Sequence, residues 1–178
     1  MTTEQSIYDQ EIDKEPKDFI RATAKNTGNL IYFKKAPLFL ANFPAEVAKS
    51  FLEFGIEESY KTHEEILKKG QVGNSLYLIV EGSISVWRQG SKLATLKRAE
   101  VFGELILLRG HYRIASIRAE EPTRVLRYTR HMLMDFFSRQ DSKIFNLHLI
   151  NIIEILRHKL ITTNEKVVVL EQKLLDSR

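Results

Sequence analysis

The sequence predicts an α+β protein in which helices flank a sandwich or roll of short strands. Between Tyr60 and Tyr128, short runs of alternating apolar and polar residues are interrupted by glycine, which is typical of strands and turns. Apolar residues recur at helical spacing from Leu38 to Phe54, and the chain from Met132 onward contains no glycine or proline. A length of 178 residues favours one domain with appendages.

Two neighbouring strands can be placed by alternation. Leu76, Leu78 and Val80 fall on one face of the first strand, and Ile84 and Val86 fall on one face of the next. Glycines interrupt this region at spacings typical of strand turns, at Gly70, Gly73, Gly82, Gly90, Gly103 and Gly110. The region between the two helical flanks is therefore expected to be a layer of strands.

The flanks divide the chain into three segments. Residues 1–30 are expected to be an extension, partly flexible or helical, with a mobile first dozen residues and a short amphipathic helix over Phe19–Ala24. Residues 31–140 hold the strands and their flanking helices, with Pro44 placed where a helix can begin. Residues 141–178 are expected to form a C-terminal helix.

The C-terminal helix carries a heptad seam. Its members follow the spacing 4-3-4-3-4-3-4 and are Leu149, Ile153, Leu156, Leu160, Thr163, Val167, Leu170 and Leu174. A helix of this length extends past a small strand domain, so a parallel coiled-coil homodimer through residues 149–174 is favoured over packing along the chain's own domain. Thr163 is the single polar member, and one such residue can fix the register of the pair.

Composition restricts the function classes. The absence of cysteine excludes disulfides and thiolate metal sites and fits a reducing compartment, so a cytoplasmic location is expected. No signal peptide or membrane-spanning run is recognisable, so no membrane partner is expected. The net charge of +4 is spread over scattered pairs, which favours a solvated surface over a nucleic-acid footprint.

The histidines do not indicate catalysis. They lack the close pairing of a metal site, and they are His63, His111, His131, His148 and His158. No catalytic residue and no metal ligand is assigned, and the chain is not expected to be an enzyme.

The segment Phe102–Ser116 carries the binding chemistry. A helix that begins after Gly103 offers unpaired backbone N–H groups to an anion, and glycine permits a close backbone approach. Arg113 can present a fork of donors to phosphate oxygens, whereas the Glu104 carboxylate suits a ribose hydroxyl. The residues alone leave a surface ion pair between Glu104 and Arg113 as the alternative.

The two ends of this segment resemble a known motif. Phe102-Gly103-Glu104-Leu105, followed by Arg113-Ile114-Ala115-Ser116, closely resembles the phosphate-binding cassette of the cyclic-nucleotide-binding family, of the catabolite activator protein and protein kinase A regulatory subunit type. The resemblance runs from roughly Pro37 to Lys166. It implies an antiparallel β-roll (a double-stranded jelly roll) flanked by N-terminal helices and a long C-terminal dimerisation helix.

The resemblance also implies the ligand and its contacts. A cyclic nucleotide would bind with its ribose 2′-hydroxyl on Glu104 and its cyclic phosphate on Arg113. Backbone groups would complete the contacts, from Gly103, Leu105, Ile106, Ile114 and Ala115. Ile106 and Ile114 stand where the family usually has small residues, and Ile114 lies where members selective for cyclic GMP tend to carry a Thr hydroxyl. The resemblance therefore favours cyclic AMP over cyclic GMP.

The same resemblance reaches the C-terminal helix. Thr162–Lys166 is similar to the stretch in which the catabolite activator protein presents a Thr to the purine, which implies that Thr163 contacts the base, with Asn164 of the second subunit beside it. Transcription factors of the family add a DNA-binding domain after this helix. Only a dozen residues follow Lys166 here, so no DNA partner is expected.

Two functions remain open. The first is a cyclic AMP sensor that transmits ligand occupancy through its C-terminal helix to a separate effector protein. The second is a structural dimerisation or scaffold protein on a degenerate, non-binding cyclic-nucleotide fold. The sequence does not identify the effector.

Overall fold

The computed structural model describes residues 20–107 and 112–177. The mobility expected of the first dozen residues lies outside these ranges. The strands are β1 (Ile20–Thr23), β2 (Leu30–Phe33), β3 (Ile56–Tyr60), β4 (Glu65–Leu67), β5 (Ser75–Glu81), β6 (Ser83–Arg88), β7 (Ser91–Lys97), β8 (Val101–Phe102), β9 (Ser116–Ala119) and β10 (Thr123–Thr129). The helices are α1 (Ala45–Phe54), α2 (Arg130–Ser138) and α3 (Ser142–Asp176), with 3-10 turns at Leu38–Leu40 and Glu104–Leu107.

Two four-stranded antiparallel sheets form the roll. Their strand orders are β3-β10-β5-β8 and β4-β9-β6-β7, and β1 and β2 form a separate hairpin. The predicted α+β architecture, with an antiparallel roll between N-terminal helices and a long C-terminal helix, is confirmed. The helix expected around Pro44 is also confirmed, because α1 begins at the next residue.

Strand β5 is buried on both faces. Leu76, Leu78 and Val80 share one face, as predicted, and pack in the core beneath the helices. Tyr77 and Ile79 point the other way, into the core inside the roll. An antiparallel sheet commonly leaves one face in water. Here the helices cover that second face, so β5 separates two apolar cores.

The helix-side core is rich in aromatic rings. Phe51 of α1 stacks on Tyr128 of β10 at a centroid distance of 4.5 Å and meets Phe136 of α2 edge to face at 5.1 Å. The Tyr128 hydroxyl donates to the Phe51 carbonyl oxygen at 3.1 Å, which satisfies the buried phenol. These contacts hold α1 and α2 against the first sheet.

The short helix expected over Phe19–Ala24 is wrong. Ile20–Thr23 form strand β1, paired antiparallel with β2 from Ile20↔Phe33 to Thr23↔Leu30. The burial alternates with the period of a strand, because Ile20 and Ala22 are buried whereas Arg21 and Thr23 are exposed. Six residues are too few to separate a period of 2 from one of 3.6, and the partner strand decides the outcome.

A buried carboxylate fixes this hairpin to the roll. Glu57 of β3 pairs with Arg124 at 2.7 Å and accepts from the side chain of Asn29 at 3.0 Å. Its backbone N–H and carbonyl are both bonded to the side chain of Asn26. Part of the predicted N-terminal extension is therefore a structural piece of the domain.

Helix α3 is anchored at its N-terminal half. Its buried residues lie on one face and are Ile144, His148, Asn151, Ile152 and Ile155. The Asn151 amide donates to the carbonyl oxygens of Phe39 and Ala41, at 3.3 and 2.9 Å. From Leu160 to Ser177 every residue is exposed.

His148 is a buried base surrounded by rings. Its centroid lies 4.4 Å from that of Phe137 and 4.9 Å from that of Phe39. Within the described residues neither ring nitrogen has a hydrogen-bond partner. Burial lowers the pKa of His148 from 6.5 to about 4, because the charged imidazolium cannot be solvated there.

This burial predicts a loss of stability in acid. The folded state binds the His148 proton less readily than the unfolded chain, so the free energy of unfolding falls as the pH drops from 6.5 towards 4. The slope from this group is at most about 1.4 kcal/mol per pH unit. We expect His148→Leu to remove that contribution in urea unfolding curves measured across this pH interval.

A neighbouring substitution provides the control. Phe137→Leu should lower the stability by a similar amount at every pH and keep the acid slope, because it removes packing without removing a titrating group. Identical slopes for the wild type and His148→Leu would contradict the assignment.

Candidate functional site

The candidate site begins where β8 ends. Phe102 closes the strand, Gly103 adopts a φ of 75°, and Glu104–Leu107 follow as a single 3-10 turn. Up to Leu107, where the first described range ends, the expected helix after Gly103 takes the form of this short turn. Phe102 is buried, and its ring stacks on Tyr77 at a centroid distance of 4.8 Å.

Arg113 is held against Gly103 from several sides. Its Nη2 donates to the Ser75 carbonyl oxygen at 2.8 Å, and its guanidinium lies 5.9 Å from the centroid of the Tyr77 ring. A Cβ on Gly103 would lie 2.7 Å from Arg113 Nη1, and one on Gly73 would lie 2.5 Å from Nε. The guanidinium therefore occupies a slot that only glycine leaves open.

The backbone of Arg113 is bonded to the facing loop. Its N–H donates to the Gln71 carbonyl oxygen, and its own carbonyl accepts from the Gly70 N–H, both at 2.8 Å. Burial lowers the pKa of Arg113, and the nearby Tyr77 and Glu104 oppose that change. An arginine keeps its charge despite such a change, so the slot holds a fixed positive charge.

Glu104 has a partner on the long helix. Lys159 Nζ of α3 lies 3.0 Å from Glu104 Oε2 and donates to the Val101 carbonyl oxygen at 3.1 Å. The Glu104 side chain is only 9% exposed. A carboxylate at this depth is stabilised by the lysine, which also ties α3 to the end of β8.

The structure brings three predicted residues together and leaves others apart. Gly103, Glu104 and Arg113 share one site, whereas Ile114 is 61% exposed. Leu105 and Ala115 are partly buried beside them. The Ile106 side chain and His111 lie outside the described part of the chain.

Thr163 and Asn164 are exposed on α3. The Thr163 hydroxyl donates to the Lys159 carbonyl oxygen at 2.7 Å. Lys166 Nζ donates to the Leu93 carbonyl oxygen of β7 at 2.9 Å. Residues three and four apart share a helix face, so Thr163 lies between two lysines that both reach the roll.

Sequence reasoning missed four contributors to the site: Gly73, Ser75, Tyr77 and Lys159. Ser75 acts through its backbone carbonyl, which leaves no signal in the sequence. Gly73 was recognised only as a turn glycine. Lys159 could have been found, since it lies four residues before Thr163 and therefore on the same face.

The described residues do not suggest metal chemistry. Residues 20–107 and 112–177 contain no cluster of three histidine or acidic side chains that could hold a metal ion. No helix in the same ranges is long and apolar enough to cross a membrane.

Residues 57–140 match the family model described as the cyclic nucleotide-binding domain. The match contains the cassette, strands β4 to β10 and all of β3 except its first residue, Ile56. Residues 57–140 are a cyclic nucleotide-binding domain. The resemblance seen in Phe102–Leu105 and Arg113–Ser116 is thereby confirmed at the level of the family.

Known proteins share this domain. A 68-residue segment, 38% of this chain, is 37% identical to a cGMP-dependent protein kinase of Eimeria tenella and spans 7% of the kinase. The Thermus thermophilus catabolite activator protein is 25% identical, with a TM-score of 0.63 over 75% of this chain and 63% of that one. A cyclic nucleotide-binding domain from Methylobacillus flagellatus shares the fold at 18% identity, with a TM-score of 0.71 over 88% of this chain and 92% of that one.

The slot around Arg113 predicts a specific cost for Gly103→Ala. The new Cβ would meet Arg113 Nη1 at 2.7 Å and the Ser75 carbonyl oxygen at 2.8 Å, in addition to the strain of a positive φ. Gly90→Ala is the matched control, because Gly90 has a similar φ of 79° and nothing within 4 Å of its Cβ position.

We expect Gly90→Ala to lower the free energy of unfolding by about 1–2 kcal/mol, the cost of the left-handed backbone. Gly103→Ala should cost clearly more, because the guanidinium must also move. Chemical denaturation of the two variants measures the difference. Equal losses would show that the slot tolerates a methyl group.

Proposed function

We propose that this chain is a cyclic nucleotide sensor that favours cyclic AMP over cyclic GMP and transmits ligand occupancy through α3 to a separate effector protein. The proposal rests on one observation: the Arg113 guanidinium is held against Gly103, one residue before Glu104. A fixed cation and a carboxylate, which lie beside each other at the start of one short turn, match the phosphate and the ribose hydroxyl of a cyclic ribose phosphate.

The two charged residues divide the ligand between them. The cyclic phosphate binds Arg113 and the backbone N–H groups that follow Gly103, and the ribose 2′-hydroxyl donates to Glu104. The Lys159 contact is on Oε2 of Glu104, so the ribose hydroxyl is assigned to Oε1. Ile114 has no hydroxyl to offer a guanine, which supports cyclic AMP as the preferred ligand.

Ligand titration tests the binding site. We expect Arg113→Ala to weaken cyclic AMP binding by two orders of magnitude or more, because loss of one partner of a desolvated charged pair costs about 2–5 kcal/mol. Arg139→Ala is the control, since Arg139 pairs only locally with Asp135 on an exposed helix end. Calorimetric titration with cyclic AMP and cyclic GMP measures both the affinity and the preference.

The outcomes separate the sensor from a non-binding fold. A ligand that binds only the native state raises the melting temperature, so millimolar cyclic AMP should stabilise the wild type and Arg139→Ala but not Arg113→Ala. A melting temperature unchanged by cyclic AMP, cyclic GMP and AMP would favour the scaffold function instead.

Thr163 is proposed to contact the base, with Asn164 of a second subunit beside it. Its face of α3 is directed to the roll by Lys159 and Lys166, which supports this placement. Thr163→Val in the same titration should lower the affinity for cyclic AMP, whereas Thr162→Val, one residue away on another face, should not.

A homodimer through α3 is part of the proposal. The seam residues with large side chains are exposed, among them Ile153 at 62%, Leu170 at 64% and Leu174 at 60%. A helix that leaves such a seam in water is typical of one strand of a coiled coil. The exposed seam is also the observation that favours the scaffold alternative, since dimerisation needs no ligand.

Transmission to α3 is proposed to run through Lys159. The lysine contacts the residue assigned to the ribose, so a change at Glu104 alters a contact that holds the helix. A ligand shifts the equilibrium between two arrangements of the helix when it binds one arrangement more tightly than the other.

The chain is further proposed to act without catalysis and in the cytoplasm. The cytoplasm is a reducing compartment, which is compatible with the lack of cysteine.

Hydrogen exchange along α3 tests the transmission. We expect cyclic AMP to change amide protection in the wild-type helix and Lys159→Met to reduce that change while binding persists. Lys166→Met is the matched control, because Lys166 also contacts the roll, at Leu93, but not Glu104. An undiminished response in Lys159→Met would remove this lysine from the pathway.

A further inference from the structure

A basic groove lies on the outer face of the second sheet. It has a volume of about 250 Å³, and its lining comprises Lys69, Trp87, Arg88, Gln89, Gly90, Ser116 and Arg118. The three cationic residues are exposed. Among the ion pairs of the described residues, one involves them, between Arg118 Nη2 and Glu65 Oε1 at 3.7 Å. The groove is therefore strongly positive.

The groove is built on paired strands. Trp87 of β6 is the register partner of Ser116 of β9, and the indole N–H donates to the Ser85 hydroxyl at 2.8 Å. The backbone N–H of Lys69 donates to the Ser116 hydroxyl at 3.0 Å. These bonds orient the indole and place the lysine next to it.

The chain itself contains a segment of opposite charge. Residues 1–19, outside the described ranges, hold six of the 23 acidic residues and two of the 27 basic residues. The segment therefore has a net charge of −4 within a chain whose total is +4. It also supplies Ile7, Tyr8 and Ile12 as apolar residues between the acids.

The segment can reach the groove. Ile20 pairs with Phe33, and the Arg98 guanidinium lies 5.2 Å from the centroid of the Phe33 ring. Arg98 follows β7, so Ile20, the first described residue, lies near the Lys97 end of the β6–β7 hairpin. The groove lies at the other end of that hairpin, about 20 Å away for six residues of strand. Nineteen residues can span about 60 Å when extended.

We propose that residues 1–19 dock intramolecularly in this basic groove, with their carboxylates facing Lys69, Arg88 and Arg118 and an apolar side chain against Trp87. Tethering favours this occupant, because a short linker gives an effective concentration in the millimolar range. The groove shares Ser116 with the cassette but contains neither Glu104 nor Arg113, so the docking does not depend on the proposed sensor function.

Trp87 is the single tryptophan of the chain and reports on the groove. The test uses acrylamide quenching of its fluorescence in the full chain at low salt. We expect the triple variant Glu11→Gln, Asp13→Asn, Glu15→Gln to expose Trp87 and increase quenching. Salt at 1 M, where the Debye length is about 3 Å, should have the same effect on the wild type.

Controls distinguish docking from general charge effects. A control variant removes the same charge elsewhere, through Glu46→Gln, Glu53→Gln and Glu154→Gln. It should leave the quenching of Trp87 unchanged. A synthetic peptide of residues 1–19 should restore protection to the triple N-terminal variant, and Lys69→Gln with Arg88→Gln should abolish that rescue.

Two results would overturn the proposal. Equal quenching of the wild type and the N-terminal variant would show that the segment does not cover Trp87. Protection that disappears on dilution of the protein would assign the segment to the groove of a second copy instead.

Discussion

The burial of strand β5 on both faces is the constraint on which the rest of the structure depends. One face packs in the core beneath α1, α2 and α3, and the other packs inside the roll. The strand also supplies Ser75, whose carbonyl oxygen accepts from Arg113, and Tyr77, whose ring lies beneath the same guanidinium. The same strand therefore joins the two cores and positions the groups that contact Arg113.

This arrangement explains how a charged group is tolerated inside a small domain. Burial removes water from the Arg113 guanidinium, which lowers its pKa. A hydrogen bond to the Ser75 carbonyl oxygen, the face of the Tyr77 ring and the nearby charge of Glu104 replace that hydration. Its backbone is paired with Gly70 and Gln71, so little freedom is left to lose when a ligand binds. A preorganised cation of this kind lowers the cost of recognising a phosphate.

Helix α3 combines two environments along its length. Its first half is a buried element held by Asn151 and by the rings around His148. Its second half is exposed, apart from the contacts that Lys159 and Lys166 make with the roll. Lys159 lies where the buried half ends, and Lys166 lies in the exposed half, so a change at Glu104 would act at the boundary between the anchored and the exposed parts of the helix.

The sequence by itself determined the strand layer, the helix after Pro44 and the long C-terminal helix. Its resemblance to the family indicated the cassette residues Gly103, Glu104 and Arg113. These features rest on local signals, namely glycine spacing, periodicity and a motif of adjacent residues. Tertiary structure alone decided that Ile20–Thr23 is a strand, that Ser75 holds Arg113, and that Lys159 reaches Glu104. Each of these contacts joins residues that are distant in the chain or uses a backbone carbonyl, so only packing brings the partners together.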